Sequence, residues 1–251
     1  MRVVSTLQAP AALEAAWLCV GVYDGQTDPP PALAGTEAGR RLGSLLATKE
    51  VAGGLGETTP VLGALGLAAG SLLVFGLGQR EKFGAGPAFD AGVAVAKKLA
   101  GKPRERVAVV LPETDDAAAI ASALVQGLIV GMRGPDLRKA EPARHPFGEL
   151  LVAAPPGGPL AAEALTAAVR RGEVIGEAIN LARELANLPP AEKPPARLAE
   201  RVRAAATAAG LGVEVWDLDR LRQERFGGLL GVAAGSAEPP AFVVLRYQGG
   251  G

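Results

Sequence analysis

Two close pairs of carboxylates, Asp115/Asp116 and Asp217/Asp219, are the residues in this chain whose type and spacing could hold divalent cations without histidine. Each pair follows an expected strand and opens an expected helix, where an acidic side chain caps free amides and suits the helix dipole. Capping is therefore the reading adopted for both. Neither pair is accompanied by the further carboxylates and the lysine that a dinuclear hydrolytic site needs. His145, in Arg144-His145-Pro146-Phe147, is the only histidine, so a histidine-rich zinc site within one chain is excluded and no HExxH motif exists. Beside a proline it reads as a loop residue. Cys19 is the only cysteine. It sits in the apolar run Trp17-Leu18-Cys19-Val20-Gly21-Val22 and reads as a buried structural thiol, which fits a reducing compartment. Ser236 has no G-x-S-x-G elbow around it and reads as a turn residue before Pro239-Pro240. Gly76-Leu77-Gly78, followed by Arg80 and Lys82, could let backbone approach a phosphate. The G-x-G-x-x-G fingerprint is incomplete and the next helix begins several residues later, so a plain turn after a strand is the better reading.

The elements that must position these residues are short apolar strands alternating with alanine-rich helices. Strands are expected at 17–23, 71–76, 106–111, 149–153, 212–216 and 241–247. Runs such as Val107-Ala108-Val109-Val110-Leu111 are almost continuously apolar, as in strands covered on both faces. Phe89, Val93, Ala96 and Leu99 recur at helical spacing, as do Ile120, Leu124 and Leu128, and again Leu198, Val202, Ala205 and Ala209. A long helical pattern runs from about residue 160 to 186. Gly172 and Gly176 either bend it or divide it into two, and Asn187-Leu188-Pro189-Pro190 ends it. The alternation predicts an α/β fold with a mostly parallel sheet. We expect an N-terminal domain over 1–158, a connecting helix over 159–187 and the start of a second α/β domain over 188–251. That last segment, with two strands, buries little surface alone. It reads as incomplete and is expected to associate through exposed apolar surface around 227–251.

Hydrophobic residues make up 49% of the 251 residues, enough to bury a sizeable core. With 26 basic and 26 acidic residues the net charge is zero, which argues against nucleic acid or an anionic membrane as partner. The N-terminus lacks a long apolar segment of the signal-peptide kind. The apolar stretch 62–77 is broken by glycines and a serine, so no bilayer span is expected. The expected location is cytoplasmic.

Several segments, in order, resemble the leucyl aminopeptidase family of two-metal cytosol aminopeptidases. Leu45-Leu46-Ala47-Thr48-Lys49-Glu50-Val51-Ala52-Gly53-Gly54-Leu55-Gly56-Glu57-Thr58 resembles the family's early glycine-rich hairpin. Leu73 to Gly78 followed by Glu81-Lys82-Phe83 is similar to its "GLG…EKF" segment, and Ala123 to Gly131 to its "EG…LG" helix. Arg183-Glu184-Leu185-Ala186-Asn187-Leu188-Pro189-Pro190 resembles the entry to its catalytic domain, with Glu184 where the family has Asp and Leu188 where it has Thr or a similar residue. The resemblance continues through 226–250.

The resemblance implies a macro-like N-terminal domain, a homohexamer, and removal of N-terminal residues from peptides, leucine preferentially. Two divalent cations, manganese or zinc, would activate water and polarise the scissile carbonyl. The family's metal and catalytic motifs, "GKG…FDSGG" and "NTDAEGR", do not occur in these 251 residues. No catalytic or metal residue is therefore assigned, neither Asp217 nor Glu238 is taken as a ligand, and no substrate-binding residue is named. The chain alone is expected to be inactive, to bind no metal and to serve as a structural, assembly portion. The alternative expectation is a non-catalytic macro-like module binding nucleotide, ADP-ribose or DNA, with Gly76–Gly78 as a contact.

Overall fold

In the computed structural model the described residues are 1–63, 66–134, 136, 139–155, 157–158 and 160–249. Parts of two expected features, the 155–159 breaker cluster and the apolar 62–77 stretch, lie outside them. Eight strands are β1 (Arg2–Thr6), β2 (Trp17–Val22), β3 (Thr58–Val61), β4 (Leu72–Gly76), β5 (Arg106–Val110), β6 (Glu149–Ala153), β7 (Gly212–Trp216) and β8 (Phe242–Arg246). Seven α-helices are α1 (Glu37–Ala47), α2 (Ala85–Leu99), α3 (Ala117–Gly131), α4 (Ala162–Asn187), α5 (Pro195–Ala208), α6 (Leu218–Gln223) and α7 (Gly227–Ala233). The protein is thus α/β, as expected. The expected strands form within a residue of their anticipated ends. Two strands and two helices were not anticipated from pattern: β1, β3, α1 and the glycine-rich α7.

Strand order in the main sheet is β1-β6-β5-β2-β4-β3, parallel except for β3, which runs antiparallel to β4. The continuous apolar runs are explained by the two faces of this sheet. Leu18, Val20 and Val22 of β2, Leu72 and Val74 of β4, and Ala108 and Val110 of β5 pack with α1 through Ala38, Leu42 and Leu46. Cys19, Leu73, Phe75, Val107 and Val109 point to the opposite face, against α2, α3 and the start of α4. The two-residue period of a strand divides each run between two cores.

α3 is buried nearly all round, because α2 lies on one side of it and α4 on the other. Close approach explains the glycines. A Cβ on Gly127 would lie 2.0 Å from the Phe89 carbonyl oxygen of α2. A Cβ on Gly172 would lie 2.5 Å from the Ser122 carbonyl oxygen of α3. Gly172 and Gly176 therefore mark the contact face of one continuous helix, not a break between two. Buried Asn180 donates from its Nδ2 to the Ile129 carbonyl oxygen at 3.1 Å, adding a polar tie to the same contact.

The chain divides into two compact units, Met1–Leu181 and Ala182–Gly251. The division falls inside α4, whose earlier turns carry the buried residues Leu165, Ala168 and Val169 of the first unit's core. In the second unit β7 and β8 pair antiparallel and α5 packs on them. Trp216, Phe226 and Phe242 form an aromatic group, with ring centroids 5.2–5.6 Å apart. Glu214 accepts from the Trp216 indole at 3.1 Å and pairs with Arg246, which together hold its carboxyl below the usual carboxylate range. No helix among the described residues is long and apolar enough to cross a membrane.

Candidate functional site

Parallel strands bring their carboxyl ends to one edge of the sheet, and the segments that follow β2, β4, β5 and β6 meet there. From β2 the chain passes toward β4; from β5 it passes toward β6. α1, after β2, and α3, after β5, cover opposite faces. A crevice opens where neighbouring strands send their connections apart, the usual ligand position in such sheets. Here it has a volume of about 690 Å³. Tyr23, Arg80, Phe83, Glu113, Asp115 and Pro155 are among its lining residues.

Tyr23 is its centre. Only 6% exposed, it meets Phe83 edge-on at 5.3 Å between centroids. Arg80 lies over the Tyr23 ring, its guanidinium carbon 4.0 Å from the centroid. The phenol donates to the Glu113 carbonyl oxygen at 3.4 Å, and the Tyr23 amide donates to Gln26 Oε1 at 3.0 Å. Burial raises the Tyr23 phenol above its ordinary value; the Arg80 charge opposes this and the Glu113 charge adds to it.

Arg80 is placed by the turn after β4. The Gly76 amide donates to the Glu57 carbonyl at 3.0 Å, and the Gly78 amide to the Gly53 carbonyl at 2.9 Å. A Cβ on Gly76 would fall 1.8 Å from the Gly54 carbonyl oxygen, and Gly78 has φ +74°. Both glycines are thus engaged by the 53–57 segment, and the Gly78 amide is not turned to a phosphate. Arg80 begins the short 3-10 turn that follows and reaches the crevice from there.

The other residues singled out from sequence are dispersed. Asp116 accepts from the Ala119 amide at 3.3 Å and caps α3; Asp217 accepts from the Arg220 amide at 2.9 Å and caps α6. Their neighbours do not cap: Asp115 lines the crevice and Asp219 pairs with Arg222 at 3.2 Å. Each pair thus supplies a helix cap, as expected, through one member, since a single side chain fills the N-cap position. Ser236 Oγ accepts from the Glu238 amide at 3.1 Å, closing a turn. His145 lies in the loop before β6, its amide donating to the Ala100 carbonyl at 2.7 Å. Cys19 is fully buried on β2, and burial pushes its thiol well above the ordinary value, which suits an inert packing role.

A metal pair does not fit these side chains. Among the described residues no three His, Cys, Asp or Glu stand close enough to hold an ion, and Asp116, Asp217 and Asp219 spend oxygens on caps or an ion pair. Sequence reading missed the Tyr23 crevice. A tyrosine closing one apolar run and an arginine four residues beyond the end of another were the available signal, but strand order is not written in the spacing.

Tyr23 offers a direct probe. In Tyr247→Phe protein it is the only tyrosine, so phenolate absorbance reports it alone. It is expected to ionise above the ordinary value of about 10. Since the raised value favours the neutral form in the fold, this stability is fully present below the unfolded tyrosine pKa and lost as pH rises through the folded one. Arg80→Gln should move the titration further up and Glu113→Gln should move it down; no response to either would contradict the geometry.

Comparison with known proteins gives the family. The model of the cytosol aminopeptidase family's N-terminal domain matches residues 19–132, and that of its catalytic domain matches 180–251. A probable cytosol aminopeptidase of Solibacter usitatus is 35% identical over 236 residues, covering 94% of this chain and 46% of the relative. One from Streptomyces coelicolor is 34% identical, covering 97% of this chain and 50% of the relative. The chain spans about half the length of the curated relatives it matches. The fold is similar to that of a tomato leucine aminopeptidase mutant, with TM-score 0.79, 20% identity, and 98% of this chain and 50% of that chain covered. It is also similar to the bottromycin maturation enzyme BotP in complex with Mn, with TM-score 0.73, 25% identity, and 93% and 45% covered. Two domain models in the right order, and relatives aligned along nearly the whole chain, place this protein in the cytosol aminopeptidase family.

Proposed function

We propose that this chain is the non-catalytic, assembly-forming part of a metal-dependent aminopeptidase that removes N-terminal residues, leucine preferentially, from peptides. The match to the family's N-terminal domain followed by the opening of its catalytic domain carries this reading. The curated relatives, named as probable cytosol aminopeptidases and about twice as long, support it. The manganese of the BotP complex supports a divalent metal for the complete enzyme. The metal would be held by residues other than those described here, because the donor set above does not fit one. Copies of the chain would associate, as in the family's hexamer, with exposed Val232, Leu245 and Tyr247 of the second unit as apolar contacts.

The 251-residue chain is expected to give no turnover of leucine p-nitroanilide with Mn²⁺ or Zn²⁺ above a mock purification. The same chain continued by the remainder of a relative's catalytic domain is expected to turn it over. Activity of the chain alone would refute its non-catalytic role, and an inactive but folded fusion would refute the peptidase reading.

A further inference from the structure

The crevice around Tyr23 carries charges of both signs. On the β4 side Arg80 stacks on Tyr23 and forms no ion pair among the described residues. On the β5 side Glu113 and Asp115 are exposed and likewise form none among the described residues. Arg80 lies 4.0 Å over the Tyr23 ring, the Tyr23 phenol donates to the Glu113 carbonyl at 3.4 Å, and both residues line the crevice, so one small molecule can reach both. Phe83, Leu111 and Leu160 add apolar side chains to the same lining. The volume, about 690 Å³, is in the range of small-ligand pockets.

These features do not suit a nucleotide. A polyphosphate would find one guanidinium and two opposing carboxylates. A base would find no open aromatic face on Tyr23, which is covered by Arg80 and Phe83 and is 6% exposed. A molecule with one anionic end, one cationic end and an apolar middle would satisfy every group.

We propose that the crevice binds a short peptide as its zwitterion, with the terminal carboxylate at Arg80 and the terminal ammonium at Glu113 and Asp115. A guanidinium is suited to a carboxylate by its paired donors, and each end forms charge-assisted hydrogen bonds. The choice of a peptide over other zwitterions rests on the aminopeptidase reading; the pattern of charge does not. The first unit would then sense substrate or product at a site of its own.

The test is calorimetric titration of the 251-residue chain with glycyl-leucine in the presence of EDTA, so that no turnover intervenes. Saturable binding is expected, weakened about tenfold or more by N-acetylation of the peptide and equally by C-amidation. Arg80→Gln should abolish the difference between free and amidated peptide. Glu113→Gln combined with Asp115→Asn should abolish the difference between free and acetylated peptide. The shifted Tyr23 titration of the Arg80 variant reports that its crevice is intact. No heat with glycyl-leucine, blocked peptides binding as well as the free one, or AMP binding more tightly would each overturn the proposal. Because turnover plays no part, this outcome stays separate from the p-nitroanilide assay: peptide binding with an inactive fusion would leave the site and remove the peptidase.

Discussion

Gly127→Ala is expected to destabilise the first unit by about 1–3 kcal/mol, although alanine is the better helix former by about 1 kcal/mol. The added methyl would lie 2.0 Å from the Phe89 carbonyl oxygen and 3.0 Å from the Val93 amide nitrogen. Both are backbone atoms of α2, so no rotamer change relieves the overlap and the helices must separate. Separation loosens contacts along both helices, which carry Ala91, Val95, Leu124 and Leu128 of the larger core. Gly86→Ala is the control. It makes the same chemical change in α2, but nothing lies within 4 Å of the added atom. Its expected effect is neutral to stabilising, by at most about 1 kcal/mol. Urea unfolding followed by Trp17 fluorescence in a Trp216→Phe background reads the first unit alone, since the chain has two tryptophans. Equal midpoints for the two variants would contradict the tight helix contact.

Phe75→Ala should cost more, about 3–5 kcal/mol, because it removes a large buried ring and leaves a cavity. Phe75 is 1% exposed on β4, which lies between β2 and β3 in the sheet. Its side chain belongs to the core shared with α2 and α3. The sheet cannot collapse into the space, as its strands are held at fixed spacing by ladder hydrogen bonds on either side. Phe75→Leu, which keeps a branched apolar group, is expected to lose less than half as much. The same urea series checks both. A cost below 1 kcal/mol for Phe75→Ala would show that the ring is not packed as described. The crevice lies at the end of this strand, so Phe75→Ala should also lower the affinity for any crevice ligand, whereas Gly86→Ala should not.

The family and the crevice become legible at different levels. Motifs such as Arg183-Glu184-Leu185-Ala186-Asn187-Leu188-Pro189-Pro190 are contiguous, so the family could be read directly from them, and both domain models match where they stand. Strands 106–111 and 149–153 were legible because, after Arg106 and Glu149, each run is apolar at every position and cannot face water on either side. β1 and β3 were not. Arg2-Val3-Val4-Ser5-Thr6 and Thr58-Thr59-Pro60-Val61 lie at the two edges of the sheet, where one flank is unpaired and the polar residues are tolerated. α1 escaped notice because its apolar residues fall among arginines and glycines and only its inner face, Ala38, Leu42 and Leu46, is buried. Gly172 and Gly176 of α4 read as a bend or a division of the helix; like Gly127 of α3 they are contact surfaces, and only the neighbouring backbone reveals that.

Composition and alternation mark the buried strands and most of the helices, because those preferences act over a few residues. They also marked both acidic pairs as helix caps, and the backbone chose Asp116 and Asp217 as the members that face the amides. Strand order was decided by tertiary structure alone. It brings Tyr23 and Glu113, 90 residues apart, within hydrogen-bonding reach and sets Arg80 upon the same ring. No local preference encodes that meeting: it follows from β2 and β5 lying side by side while their connections leave in opposite directions, and that arrangement depends on how the whole chain buries its two cores.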